Sequence, residues 1–181
     1  MSDYVASAMI SEHLAGGDCL NVGCVPSKAL LRAAKAAQHV QQASEYGIRI
    51  EGPITIDFAA IMQRLRKLRT KIAPADGHEG TEAAGTHVFQ GRGKFVGPTT
   101  IEVHHADNTT TSLNFRKAVV ATGGRPTLPS VPGLAEAPYT TNEVLFNLEV
   151  LPPRMVVLGA GVIALEMAQS FALLGSQVTV L

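Results

Sequence analysis

Cysteine is scarce in this chain: Cys19 and Cys24 are the only two in 181 residues. No second pair exists to build a disulfide framework. A bond between these two would close a very small loop, whose chain-entropy contribution is limited. Such a bond suits thiol exchange better than stapling. With both cysteines in one segment, a reducing, cytoplasmic setting is the simpler expectation. An excess of either charge is also lacking, with 15 basic and 15 acidic residues. That balance gives no electrostatic reason to expect a nucleic acid or an anionic membrane as partner. No apolar run reaches the roughly 18 residues that a membrane-spanning helix needs. The start shows no basic segment followed by an apolar run and a small-residue cleavage site, so no secretory leader is expected. Of the six histidines only His104 and His105 are adjacent. On a strand, neighbours point to opposite faces, so no metal site is expected there or elsewhere. Residues 1–15 contain no glycine, which excludes a tight phosphate-binding turn from that stretch.

What is present is concentrated in Gly16-Gly17-Asp18-Cys19-Leu20-Asn21-Val22-Gly23-Cys24-Val25-Pro26-Ser27-Lys28. Pro26 fits the first position of a helix, where its missing N–H costs nothing. The following run from Lys28 to Ala37 is built of good helix formers. Cys24 is thereby placed at a helix N-terminus, where the macrodipole favours negative charge, and Lys28 one turn on acts in the same direction. By spacing alone, two such cysteines are more often a pair of buried small hydrophobes than a redox pair.

The segment GGDCLNVGCVPSKALL resembles the redox signature of the flavin-dependent pyridine nucleotide–disulfide oxidoreductases, the group that includes dihydrolipoamide dehydrogenase, glutathione reductase and mercuric reductase. The resemblance implies that Cys19 exchanges with substrate. It implies that Cys24 packs against the flavin, and that Lys28 sits near the flavin N5 edge. Gly17 and Asp18 would contact FAD. In the family, a strand, a G-x-G-x-x-G turn and a helix precede this segment. That unit does not occur here, and Val5 to Ile10 reads as a remnant of the strand that follows it.

Downstream, the helix opened by Pro26 is expected to run to about Tyr46, with Gly47 as its stop. A second helix is expected from Asp57 to about Ala73, ended by Pro74, with Ile61, Leu65, Leu68 and Ile72 as its apolar stripe. The cations Arg64, Arg66, Lys67, Arg69 and Lys71 read as its solvated faces. Residues 76–86 read as a loop or weak helix. From His87 short β-prone runs, separated by Gly-Pro and Asp-Asn turns, suggest an antiparallel meander. Within it, Gly91-Arg92-Gly93-Lys94-Phe95 resembles the family's G-x-G-x-F segment, which implies a cofactor contact at Gly93. Ala118 to Ala121 reads as a fully apolar strand. It leads into Thr122-Gly123-Gly124-Arg125-Pro126, which resembles the family turn that closes over FAD. Pro129, Pro132 and Pro138 mark a connector between domains.

A second nucleotide turn begins after the apolar run Met155 to Leu158, read as a buried parallel strand. Gly159-Ala160-Gly161-Val162-Ile163-Ala164 is a G-x-G-x-x-A turn that opens a helix to about Leu174. Gln177 to Leu181 reads as the next strand. The strand–turn–helix–strand setting is what this fingerprint requires for a dinucleotide. Glu166, by resemblance, reaches the flavin edge and pairs with Lys28. Val162 stands where many relatives carry a tyrosine gate, and mercuric reductase-like members often have valine there.

The fold class expected is α/β: partial FAD- and NAD(P)-binding Rossmann-like domains with an antiparallel β-meander, incomplete at both ends. Residues 1–135 would form a partial FAD-binding domain and 136–181 the start of the NAD(P)-binding domain. The resemblance implies an oxidoreductase using FAD and NAD(P)H. Its substrate would be a small-molecule disulfide, a dithiol or Hg(II), with mercuric reductase-like or dihydrolipoamide dehydrogenase-like activity. A truncated, non-catalytic nucleotide-binding fragment is the alternative. The full-length family is homodimeric, and its dimerisation domain is not found in this sequence. The residue that chooses between NAD and NADP would follow Leu181.

Overall fold

Helix-forming and β-prone runs alternate along the chain, and the computed structural model, which describes residues 5–181, follows that alternation. In order the elements are β1 (Ala8–Ser11), α1 (Gly17–Asn21), α2 (Cys24–Gln41), a 3₁₀ turn (Ala43–Tyr46), α3 (Phe58–Asp76) and α4 (His78–Ala83). Then come β2 (His87–Gln90), β3 (Arg92–Gly97), β4 (Thr100–His104), β5 (Thr110–Asn114), α5 (Asn142–Leu145), β6 (Arg154–Val157), α6 (Val162–Leu173) and β7 (Gln177–Val180). Two compact units result. The first holds the described residues up to Asn21 together with Lys71–Arg125, and the second holds Val22–Thr70 with Pro126–Leu181.

In the first unit, β1 and β2 pair in parallel, with Met9 opposite Val88 and Ile10 opposite Phe89. The antiparallel meander is β3–β4–β5, tied at its turn end by an Asp107–Thr109 contact. β2 leaves the meander expected from the sequence and pairs with β1 instead, because the chain already supplies β1 as a parallel partner in register. Val103 on β4 is fully buried, and Phe95 and Phe115 meet edge to face at 5.7 Å. The expected strand at Ala118–Ala121 does not form, and Val119 and Val120 are 91% and 70% exposed. An apolar central strand needs neighbours on its edges, and among the described residues none pairs with this run.

The second unit packs helices around one core. Ala29, Leu30 and Ala34 of α2 meet Phe58, Met62 and Leu65 of α3 and Met167 and Phe171 of α6, closed by Leu145, Phe146 and Leu174. Phe58 and Phe171 stack at 5.9 Å with a 45° tilt. The α3 stripe is thus Phe58, Met62 and Leu65 rather than the expected Ile61, Leu65, Leu68 and Ile72: Ile61 and Leu68 lie at its margin, and Ile72 is half-buried outside this core. Asp57 caps this helix by accepting the Ala60 N–H at 2.9 Å. Contrary to the expected stop at Pro74, α3 continues to Asp76. Proline so close to the end removes a single ladder bond and keeps a helical φ. α2 ends at Gln41 rather than Tyr46, and the residual turn passes into Gly47 in the left-handed region.

β6, α6 and β7 form the strand–turn–helix–strand unit. The strands run parallel with Met155 opposite Val178. Gly175, at φ +112°, ends α6: its N–H donates to Ala172 O and the Ser176 N–H to Phe171 O, the paired bonds of a Schellman motif. β6 was expected to be buried, but Val156 is 61% exposed, since β7 is its one strand neighbour among the described residues.

Candidate functional site

The candidate residues fall into two groups, one in each unit. In the first unit, Gly16 and Gly17 take positive φ values of 86° and 57°, and this bend delivers the chain into the short α1. A side chain at Gly16 would collide with Leu20, whose own side chain is buried. Asn21 ties the turn down by donating to Ala15 O at 3.1 Å and Gly17 O at 2.9 Å. Cys19 lies within α1 and is exposed. Asp18 lies beside Gly123: a Cβ at that left-handed glycine would stand 3.5 Å from the Asp18 carboxylate. The structure therefore brings together two turns that the sequence separates by about a hundred residues, while Thr122 and Gly124 flank the contact point. Gly93 lies on β3, where a Cβ would stand 3.1 Å from Ile101 and 3.4 Å from Ile10. Its missing side chain leaves room for these two isoleucines.

In the second unit, Cys24 is the first residue of α2 and is exposed. Pro26 sits at the third helical position rather than the first. The reason is that all N–H groups of the first turn lack helical acceptors, so proline is as well tolerated there. The ladder begins at the Ser27 N–H, which donates to Gly23 O at 3.0 Å. Ser27 is buried and its hydroxyl donates to Cys24 O at 3.2 Å. Lys28, one turn along, reaches across to α6, where its Nζ lies 2.5 and 2.7 Å from the two carboxylate oxygens of Glu166. The Lys28 side chain is 60% exposed and that of Glu166 23%. Solvent on the lysine side limits such a pair to about 1 kcal/mol or less, so its importance is geometric.

Gly159 takes φ +108°, and Gly161 caps α6 in extended backbone. Nothing lies within 4 Å of a Cβ at either position. The turn is open above its glycines, the condition for a diphosphate to approach the backbone at a helix N-terminus. Val162 and Ile163 are exposed on the first turn, and Ala164 follows them. Ser170, fully buried, donates to Glu166 O at 2.7 Å and holds the turn that carries Glu166. Neither Ser27 nor Ser170 carries a sequence signal beyond its place in a helix.

Two histidines, His78 and His105, serve the first unit's framework. His105 bonds Gln90 O at 2.6 Å and the Thr111 hydroxyl at 2.8 Å, and His78 bonds the Gln90 amide at 2.8 Å. Among the described residues no group of three or more His, Cys, Asp or Glu is placed to hold a metal ion. Nor is any described helix long and apolar enough to cross a membrane.

The family profile described as "Pyridine nucleotide-disulphide oxidoreductase" matches residues 4–181. The chain belongs to this family. Among curated relatives, a dihydrolipoyl dehydrogenase of Mycoplasma pneumoniae is 36% identical over 181 residues, covering 96% of this chain and 37% of the relative. A mercuric reductase of Acidithiobacillus ferrooxidans is 38% identical over 177 residues, covering 96% and 32%. A solved structure of the HOCl-induced flavoprotein disulfide reductase from Escherichia coli, in a Cu(II) complex, superposes with a TM-score of 0.76 at 26% identity, covering 96% of this chain and 36% of that one. This family member thus spans about a third of the length of the relatives it matches. Its partial Rossmann-like α/β fold agrees with that of its structural neighbours.

Proposed function

We propose that this chain carries the redox-active dithiol of an FAD-dependent NAD(P)H disulfide oxidoreductase, with Cys19 and Cys24 as the disulfide pair. The observation that carries the reading is the Lys28–Glu166 ion pair. It ties the helix that begins with Cys24 to the helix opened by the glycine turn Gly159-Ala160-Gly161. In this reading residues 1–135 belong to a flavin-binding domain and 136–181 begin the nicotinamide-binding domain.

The residues present fit the two nucleotides in part. Gly159, Gly161, Val162, Ile163 and Ala164 would hold the diphosphate of NAD(P)H, and the open space over both glycines supports this. Gly17, Asp18, Gly93, Thr122, Gly123 and Gly124 would contact FAD, with Lys28 and Glu166 at the flavin edge. When bound, FAD supplies hydride chemistry that a protein side chain cannot perform. The chain's own part is thiol exchange. Cys19, as thiolate, attacks one sulfur of a substrate disulfide; that S–S bond breaks, a mixed disulfide forms and one substrate thiolate leaves to take a proton. Cys24 then attacks Cys19, the second substrate thiolate leaves, and the Cys19–Cys24 disulfide forms. The substrate gains two electrons and the cysteine pair loses two.

Within this class we favour a mercuric reductase-like activity, because Val162 occupies the gate position and is exposed at the turn. Hg(II) would then be held by the two thiolates as substrate. A dihydrolipoamide dehydrogenase-like activity is the second reading, supported by the comparable identity to dihydrolipoyl dehydrogenases. The test is to purify the chain, equilibrate it in glutathione redox buffers and record both its absorption spectrum and its intact mass. Loss of two hydrogens at a defined potential, together with bound flavin, supports the proposal. A colourless protein whose cysteines never pair would leave a non-catalytic nucleotide-binding fragment, which NAD(P)H titration would then detect.

A further inference from the structure

The second unit contains a hydrogen bond that no motif accounts for. Asn142, the first residue of α5, donates from Nδ2 to the carbonyl of Val22 at 3.4 Å, across 120 residues of sequence. Val22 is two residues before Cys24. Gly23, between them, caps α2 with φ −131° and ψ −114°, outside the helical and strand regions, and no side chain caps the helix there. The entry to α2 therefore lacks the local serine, threonine or aspartate lock that usually fixes a helix start.

Asn142 stands on a firm base. Its helix is pinned by Leu145 and Phe146, buried at 8% and 3% exposure in the core that also takes Leu30 of α2. The Leu145 N–H donates to Thr141 O at 2.9 Å and fixes the turn that carries Asn142. We propose that Asn142 is a positioning residue for Cys24: by holding the Val22 carbonyl it fixes the Val22–Gly23 peptide and the direction from which the chain enters α2. Because a peptide is planar, anchoring its oxygen sets the plane in which Gly23 begins. This inference rests on the reading of Cys24 as a redox thiol.

The experiment uses the full chain with Cys19→Ser, which leaves Cys24 as the only thiol. Alkylation of Cys24 by iodoacetamide is followed across neutral and mildly alkaline pH, alone and combined with Asn142→Asp, Asn142→Ala or Asn142→Gln. Asn142→Asp keeps the shape, suits a helix N-terminus and removes the donor, so the fold should survive it. Loss of one modest hydrogen bond predicts a change in alkylation rate of roughly threefold in both the Asp and Ala variants, with unchanged thermal melting. Asn142→Gln, which keeps the donor, should stay nearer to the parent. Equal rates in all four proteins would overturn the proposal. So would a change confined to Asn142→Asp, which would mark a charge effect, or a change that only tracks a lower melting temperature. Failure of the redox reading looks different: with both cysteines present, the parent would form no internal disulfide in glutathione buffer, whatever the alkylation rates.

Discussion

Lys28 and Glu166, 138 residues apart, face each other across α2 and α6 with both carboxylate oxygens engaged. The lysine is more than half exposed, so little folding energy depends on the pair. Glu166→Gln or Lys28→Met should lower stability by no more than about 1 kcal/mol in urea unfolding. The effect should shrink as salt is added, because exposed charges are screened. A loss well beyond this would mean that the pair is a structural clamp, not a feature kept for chemistry.

Phe171 should behave in the opposite way. It is fully buried, stacks on Phe58 and anchors α6 to the helical core. Phe171→Ala removes that contact and leaves a cavity, which costs about 3–5 kcal/mol in denaturant unfolding. A cost below about 1 kcal/mol would contradict the packing described for this core.

Gly161 separates folding from nucleotide binding. Its φ of −73° is open to any residue, and nothing lies within 4 Å of a Cβ placed there. Gly161→Ala should therefore fold within about 1 kcal/mol of the parent, the usual range for a change at a helix cap. NAD(P)H binding, followed by fluorescence titration, should weaken clearly, since the methyl group occupies the space a diphosphate would use. Unaltered binding would remove this turn from the nucleotide site.

Asp107 gives a prediction about pH. The Thr109 hydroxyl donates to its carboxylate at 2.6 Å and the Thr109 N–H at 2.9 Å, and these two bonds hold its carboxyl below the usual carboxylate range. Because the folded value is depressed, the stabilising contribution is present above the unfolded value and is lost as pH falls through the folded one. Carboxyl-carbon NMR should show Asp107 titrating below the about 3.9 of an unperturbed aspartate, and Thr109→Val should move it upward.

Much of the local structure of the candidate site was legible because it is written in glycines and in fixed spacings. The turn at Gly159 to Ala164 announces itself by lying between a β-prone run and a helix-prone one, and the chain folds there as that order requires. The helix α3 was legible for the same reason, but its buried face was read only in part: Leu65 is buried, while Phe58 and Met62 replace Ile61, Leu68 and Ile72 as its core residues. Where local pattern and pairing compete, the sequence is a poorer guide. Ala118 to Ala121 reads as a strand by composition, but a strand exists only with a partner, and partnership is not a local property. β2 reads as part of the meander because it is adjacent in sequence, yet it pairs with a strand near the start of the chain. Asn142 carries no signal at all. Its meaning lies in a carbonyl that only the fold brings within reach.

The uncovered run at Val119 and Val120 has a practical consequence for anyone handling this polypeptide. Exposed, apolar, uncharged segments of high β-propensity are templates for intermolecular strand pairing. The colloidal behaviour of the isolated chain should therefore be governed by a few residues that lie outside the candidate site.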